Sequence, residues 1–360
     1  MTKESLVAEL NDANSGEPIL KVVNLKKYFR AKRTVQEALA GIPPAIVKAV
    51  DGISFEIKRQ ESFALVGESG CGKTTTGKVI AKLLNPTEGE VYYNGVDVTQ
   101  LSSKAEELEY RRHVQMIFQD PYASMNPRFK IRDVLEEPLI IHGIGETMEE
   151  REEMMLKALE NVKLIPPEDF IERYPHMLSG GQRQRVSIAR ALILHPNFIV
   201  ADEPVSMLDV SVRAEVLELM KDLQDKFGLT YLYITHDLAT TRYFTRRIAV
   251  MYLGKIVEIG KTSEILDKPM HPYTKALIAA VPEPDPSRRL GLKEVPIIGE
   301  VPNAANIPQG CRFHPRCPYA MEKCKHEEPP MFEVASDHFV ACWLYEKEGE
   351  KVSDEEAAST

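Results

Sequence analysis

The sharpest periodicity in the chain lies between residues 178 and 209. Val186, Ile188, Ala189, Leu192 and Ile193 fall on one face of a helix, and Pro196 and Asn197 break it. The apolar run at 198–201 is short enough for a buried parallel strand and ends in two carboxylates, Asp202 and Glu203. Other apolar or alternating runs predict strands at 18–24, 63–66, 114–120 and 230–235. Residues 46–58 predict a strand with a turn at Asp51-Gly52, and 89–98 predict two short strands around Asn94-Gly95. Residues 246–259 read as a hairpin. Amphipathic spacing predicts a helix over 211–227, ending at Phe227-Gly228, and 121–177 read as mostly helical.

Between the run at 63–66 and the next helical stretch stands Gly67-Glu68-Ser69-Gly70-Cys71-Gly72-Lys73-Thr74, followed by Thr75. It fits GxxxxGK[ST] at every fixed position and sits in the strand–loop–helix context that the motif requires. Its glycines let backbone N–H groups wrap phosphate oxygens, and the following helix offers its N-terminus to the same charge. Lys73 is expected to reach the β- and γ-phosphates of a bound nucleotide, and the Thr74 hydroxyl to ligate Mg²⁺. Cys71 occupies a variable position and reads as a small residue tolerated in the loop.

Composition narrows the class. The 360 residues are 43% hydrophobic and 28% charged, ordinary for a globular protein of one large domain plus an appendage, or of two domains. The net charge of −9 argues against nucleic-acid binding. No apolar run reaches eighteen residues, and the first residues lack the apolar core of a signal peptide, so a cytosolic location is expected.

LSGGQ at 178–182, a strand ending in Asp-Glu about twenty residues later, and SMLD at 206–209 resemble the ATP-binding subunits of ABC transporters. Met207 stands where that family usually has alanine. The resemblance covers about residues 20–345. It implies an α/β fold: a P-loop ATPase core with parallel strands, an antiparallel β subdomain, a helical subdomain near 121–180, and a small C-terminal metal-binding extension. The nucleotide-binding domain would span 18–262, after a flexible 1–17. Residues 263–310 would form an extension and linker, 311–345 a metal-binding segment, and 346–360 an acidic disordered tail. Residues 30–45 read as a loop insertion.

The resemblance also implies roles. Phe29, favoured over Tyr28, would stack on adenine. Asp202 would help hold Mg²⁺ through water, Glu203 would polarise the attacking water, and Gln119 would touch both Mg²⁺ and that water. His236 would contact the γ-phosphate. Ser179, Gly180, Gly181 and Gln182 would complete the site of a second ATPase subunit, a paralogue or an identical copy, and Asp209 would be a further nucleotide-binding residue. Residues 121–134 look like the surface that receives a membrane partner. Two transmembrane permease subunits and, indirectly, an extracytoplasmic binding protein are the implied partners, which places the chain peripherally on the cytoplasmic face of the membrane.

Cys311, Cys317, Cys324 and Cys342 have the spacing C-x5-C-x6-C-x17-C. Four thiolates suit tetrahedral zinc or an iron–sulfur cluster, and the spacing alone leaves iron–sulfur, zinc and no metal open. This stretch and residues 262–284 resemble the C-terminus of oligopeptide/dipeptide importer ATPases, some of which hold a 4Fe-4S cluster. That resemblance favours 4Fe-4S, with Zn²⁺ as the alternative, and makes peptides the expected cargo ahead of oligosaccharides or nickel. A soluble ABC ATPase of translation or DNA repair is the competing class. Such proteins commonly carry two cassettes or a long coiled-coil insertion; the loop motif occurs once here, and 75–178 is too short for such an insertion. A regulatory module with a dead site conflicts with intact Lys73, Asp202, Glu203 and His236.

Overall fold

The computed structural model describes residues 10, 17–31, 33, 41, 43–281, 297–299, 302, 306–346 and 350–352. Strands β1 (Leu20–Arg30), β2 (Ile46–Ile57), β4 (Glu88–Tyr93) and β5 (Val96–Asp97) form an antiparallel sheet in the order β2-β1-β4-β5. The β4–β5 turn is the expected Asn94-Gly95, both with positive φ (49° and 80°), which suits the twist of a hairpin. The turn expected at Asp51-Gly52 is instead a bulge. Strand β2 runs straight through it, with Asp51 paired to Lys26 and Ile53 to Leu25. Gly52, at φ 81°, absorbs the extra residue without ending the strand.

The second sheet has nine strands: β3 (Ser62–Val66), β6 (Val114–Ile117), β7 (Phe198–Asp202), β8 (Thr230–Thr235), β9 (Arg247–Tyr252), β10 (Lys255–Lys261), β11 (Met331–Ala335), β12 (His338–Val340) and β13 (Glu350–Val352). Their order is β13-β11-β12-β10-β9-β3-β8-β7-β6, and the block β9-β3-β8-β7-β6 is parallel. Every residue of β3, β7 and β8 is buried, as expected for parallel strands covered on both faces. Because β3, β8 and β7 are neighbours, the loops leaving their carboxyl ends lie side by side, where open α/β sheets bind ligands.

Helix α1 (Lys73–Ile80) follows the glycine loop, and α2 (Lys104–His113) leads into β6. The helical region comprises α3 (Ile131–His142), α4 (Met148–Asn161), the short α5 (Glu168–Ile171) and α6 (Gly180–Leu192). Ile131, Leu135, Leu159, Val186 and Ile188 share one core with Ile199 and Ala201 of β7 and with α7 (Val210–Phe227), which seats the helical region on the sheet. Helix α8 (Leu238–Phe244) follows β8; α9 (Thr262–Asp267), α10 (Pro272–Ala279) and α11 (Glu322–His326) belong to the C-terminal third.

Several features add to the expected layout. The C-terminal third is joined to the core sheet, with Glu258 and Ile259 of β10 paired to Val340 and Phe339 of β12. Glu350–Val352, inside the tail expected to be disordered, pairs with β11. Leu10, inside the terminus expected to be flexible, is fully buried, and its carbonyl accepts from Asn94 Nδ2 at 2.6 Å. The rest of 1–17 and of the tail beyond 352 lies outside the described residues, apart from Glu17. So does most of 30–45, whose ends are joined by Ala31 N–H donating to Ala45 O at 2.8 Å. Strand β1 extends past residue 24 to include Tyr28 and Phe29, and β6 stops two residues short of Gln119.

Candidate active site

The glycine loop leaves β3 at Val66 and becomes α1 at Lys73. Gly67, Gly70 and Gly72 all have positive φ. A Cβ on Gly67 would stand 2.2 Å from the Met251 carbonyl oxygen, and one on Gly72 would stand 2.1 Å from that of Ala49. Only glycine allows the loop to nest between these two backbones. Ser69 and Gly70 form its exposed tip, and Thr74 and Thr75 are half-buried at the start of α1. The buried Lys73 ammonium donates to the carbonyls of Gly67 (2.7 Å) and Glu68 (3.0 Å). Burial pushes the Cys71 thiol up, in keeping with a small apolar filler beneath the loop.

Thr74 Oγ1 donates to Asp202 Oδ1 at 3.0 Å. Asp202 ends β7 and is 3% exposed; burial raises its carboxyl above the usual range, Thr74 lowers it, and neighbouring Glu203 raises it further. A hydroxyl and a buried carboxylate at the phosphate-binding end of a helix form a donor set that fits Mg²⁺, whose charge would offset that burial.

Glu203 turns the chain out of β7 with φ 47°, a conformation unusual outside glycine, and its N–H donates to Ile234 O at 2.8 Å. Its two carboxylate oxygens have separate partners. Gln119 Nε2 donates to Oε2 at 2.7 Å, and His236 Nδ1 lies 3.0 Å from Oε1. Three side chains expected to act on water and phosphate are thus brought together from the ends of β6, β7 and β8.

The second set lies elsewhere. Ser179 caps α6, and its Oγ accepts from Gln182 N at 3.2 Å while Gln182 Oε1 accepts from Ser179 N at 3.0 Å. Neither bond reaches the glycine loop. A Cβ on Gly181 would meet Val212 Cγ1 at 2.5 Å, whereas one on Gly180 meets nothing closer than Leu208 at 3.6 Å. Asp209 is exposed at the N-cap of α7, and Met207 is 64% exposed. Of the two aromatics, Tyr28 donates to Asp51, itself bound by Arg312, while Phe29 keeps an exposed face with Lys27 Nζ 5.3 Å from its ring centre.

A second anchor on the loop had no signal in the sequence. Arg316 forks onto Glu68 (2.8 and 3.1 Å), and Glu68 N–H donates to Tyr273 Oη at 2.8 Å. No local pattern signals a contact 248 positions apart.

The four C-terminal cysteines converge, but not as the complete ligand set expected of them. Among the described residues, no three His, Cys, Asp or Glu side chains are placed to hold a metal ion. All four are free thiols. Burial, backed by the Cys311, Cys317 and Cys324 charges, pushes Cys342 up to about 12, and burial pushes Cys311 up to about 11. The nearby backbone N–H groups of Phe313, Tyr319 and Leu344 pull the Cys311, Cys317 and Cys342 thiols downward, but burial outweighs them at all three.

Residues 50–206 match the ABC transporter family, and 257–324 match the C-terminal region of oligopeptide/dipeptide transporters. The chain is 46% identical over 333 residues to the oligopeptide transport ATP-binding protein AppF of Bacillus subtilis (strain 168), covering 92% of this chain and 99% of that one. It is 45% identical to the dipeptide transport ATP-binding protein DppF of Haemophilus influenzae, covering 92% and 98%. Among solved structures it resembles the dimeric post-hydrolysis state of the ATP-binding cassette MJ0796 bound to ADP and Pi. That match has a TM-score of 0.58 and 31% identity, covering 68% of this chain and 98% of that one.

Proposed function

This chain belongs to the ATP-binding subunits of oligopeptide/dipeptide ABC transporters, and from that premise we propose how its site works and what it assembles with. Its function is that of the ATPase subunit of an oligopeptide or dipeptide importer. The observation that carries the mechanism is Glu203 suspended between Gln119 and His236, beside the Thr74–Asp202 pair.

Backbone N–H groups of the loop and the Lys73 ammonium bind the phosphates, and the exposed face of Phe29 receives adenine. Thr74, Asp202 and Gln119 would hold Mg²⁺, which supplies neutralisation of phosphate charge when bound. Glu203 accepts a hydrogen bond from water and aims its oxygen at the γ-phosphorus. The new P–O bond forms as the bond to the β-phosphate oxygen breaks, and the water's proton passes toward Glu203. His236 orients Glu203 and faces the γ-phosphate.

Ser179, the N–H groups of Gly180 and Gly181, Gln182 and Asp209 serve the site of a second ATPase subunit, a paralogue or an identical copy. Two membrane subunits convert closure of that pair into transport, fed by an extracytoplasmic binding protein. This chain acts at the cytoplasmic face through those partners; among its described residues no helix is long and apolar enough to cross a membrane. The test is Mg-ATP turnover by the assembled transporter with Glu203→Gln: nucleotide binding should persist and turnover collapse.

Cys311, Cys317, Cys324 and Cys342 are the ligands offered to a 4Fe-4S cluster, with Zn²⁺ as the alternative. Support comes from the backbone contact of Cys311 N–H with Cys324 O at 2.8 Å and from the charges of Cys311, Cys317 and Cys324 being felt at Cys342; a bound metal would have to overcome the burial that holds these thiols protonated. Anaerobically purified protein should carry about four iron and four sulfide per chain. Stoichiometric zinc without sulfide would reject the cluster in favour of zinc.

A further inference from the structure

Residue 68 is a variable position of the glycine loop, yet both of its handles are held from the C-terminal third. Arg316 binds both oxygens of its carboxylate, and Tyr273 Oη accepts its N–H. The third polar group of the residue, its carbonyl, faces the Lys73 ammonium at 3.0 Å. The placement of Glu68 therefore helps set where the phosphate-binding lysine rests, together with the Gly67 carbonyl at 2.7 Å.

The anchors themselves are firmly placed. Arg316 is 5% exposed and lies over the rings of Tyr252 (5.7 Å) and Phe313 (5.9 Å). Tyr252, Tyr273 and Phe313 pack on one another with ring centres 4.6–5.5 Å apart. The Arg316 N–H donates to Phe313 O at 2.9 Å, and its carbonyl accepts from Ile298 N at 3.1 Å. A bidentate guanidinium–carboxylate pair in such surroundings is strong and geometrically demanding. The tip of the loop differs: a Cβ on Gly70 would touch nothing within 4 Å. The loop is thus fixed at its start by the C-terminal third and at its end by α1.

Building on the ATPase reading, we infer that Arg316 and Tyr273 are positioning residues for the phosphate-binding loop of their own chain, so that ATP affinity depends on the C-terminal extension. The experiment is titration of the full-length chain with Mg-ATP, with thermal melts on the same samples. Arg316→Ala should weaken binding about tenfold or more. Glu68→Gln should weaken it in the same direction, and the double variant should bind no worse than Arg316→Ala, because one interaction is lost in each case. Arg316→Lys should recover part of the affinity. If Arg316→Ala does not fold, Tyr273→Phe removes one hydroxyl and should weaken binding about threefold.

Folded variants that bind within twofold of the parent would overturn the inference and leave Arg316 as glue for the extension, visible only in the melts. Independent, multiplying losses from Arg316→Ala and Glu68→Gln would overturn it too. A parent chain that binds no Mg-ATP would overturn the ATPase reading itself, a result distinct from normal parent binding with insensitive variants.

Discussion

The carboxyl ends of β6, β7 and β8 and the N-terminus of α6 both present polar groups to a phosphate-binding task, and they hold them in opposite ways. At the strand ends, each group is satisfied by a partner from another element: Gln119 and His236 on Glu203, Thr74 on Asp202. At α6, Ser179 and Gln182 satisfy each other within one turn and face outward. The first arrangement is a completed half-site; the second is a rigid surface whose chemistry needs something brought to it. The two glycines of the signature repeat the contrast at the scale of one residue. Gly181 is required by its own chain, through Val212; Gly180 is not.

The largest expected effect tests the strand-end half. Glu203→Gln should lower turnover by a factor on the order of 10²–10⁴ while Mg-ATP binding stays near normal, read by steady-state hydrolysis and equilibrium binding. Near-normal turnover would remove Glu203 from the chemistry. Next comes a Ser179→Arg subunit, which should silence the partner's site but not its own. Mixed with a Lys73→Ala subunit, or with the natural partner carrying the equivalent change, one composite site should carry both lesions and the other neither. Identical losses in every combination would break the contrast between the two regions.

Smaller effects separate the glycines. Gly181→Ala forces a contact at 2.5 Å and should destabilise the chain by about 1–3 kcal/mol in denaturant melts. Gly180→Ala should leave stability unchanged or raise it by up to about 1 kcal/mol, yet weaken ATP-dependent pairing of subunits, measured by size-exclusion chromatography of a Glu203→Gln background. Equal stability losses at both positions would erase the distinction.

The smallest effect is in pH. Burial holds His271 down at about 4, against partial opposition from Glu258 and reinforcement by Lys275. The folded chain keeps this imidazole neutral while the unfolded chain protonates it below about 6.5. Its contribution to stability is therefore complete above that value and declines as pH falls from about 6.5 toward 4. Melts across that window should show a shallower slope for His271→Asn, whose side chain can still accept the Tyr273 N–H that His271 Nδ1 receives at 3.0 Å.

What was legible in the sequence follows from the range of the interactions. Strands β3, β7 and β8, the glycine loop and the cap of α6 are specified within a few residues by apolar runs, glycine spacing and a serine three before a glutamine. Positions of Gln119, Glu203 and His236 could be named through their order along the chain, although their meeting is a property of sheet order. Arg316 on Glu68 and β12 on β10 were invisible because nothing periodic links positions so far apart. The Gly52 bulge was misread because a glycine after an aspartate signals a turn and a strand irregularity equally well. Cysteine spacing indicated convergence but carries no information on how four sulfurs point.

The pairing of β12 with β10 has a practical side. Gly260 lets the Asp337 carbonyl come within 2.8 Å of where a side chain would begin, so this rim of the sheet is built to be covered. A truncation at residue 262, which looks natural from the motifs alone, would strip that cover and leave the backbone of β10 open as a template for stray strands. Shortened forms intended for crystallisation or inhibitor screening should therefore clump where the whole chain stays dispersed, and a cut placed beyond β12 should be the better-behaved reagent.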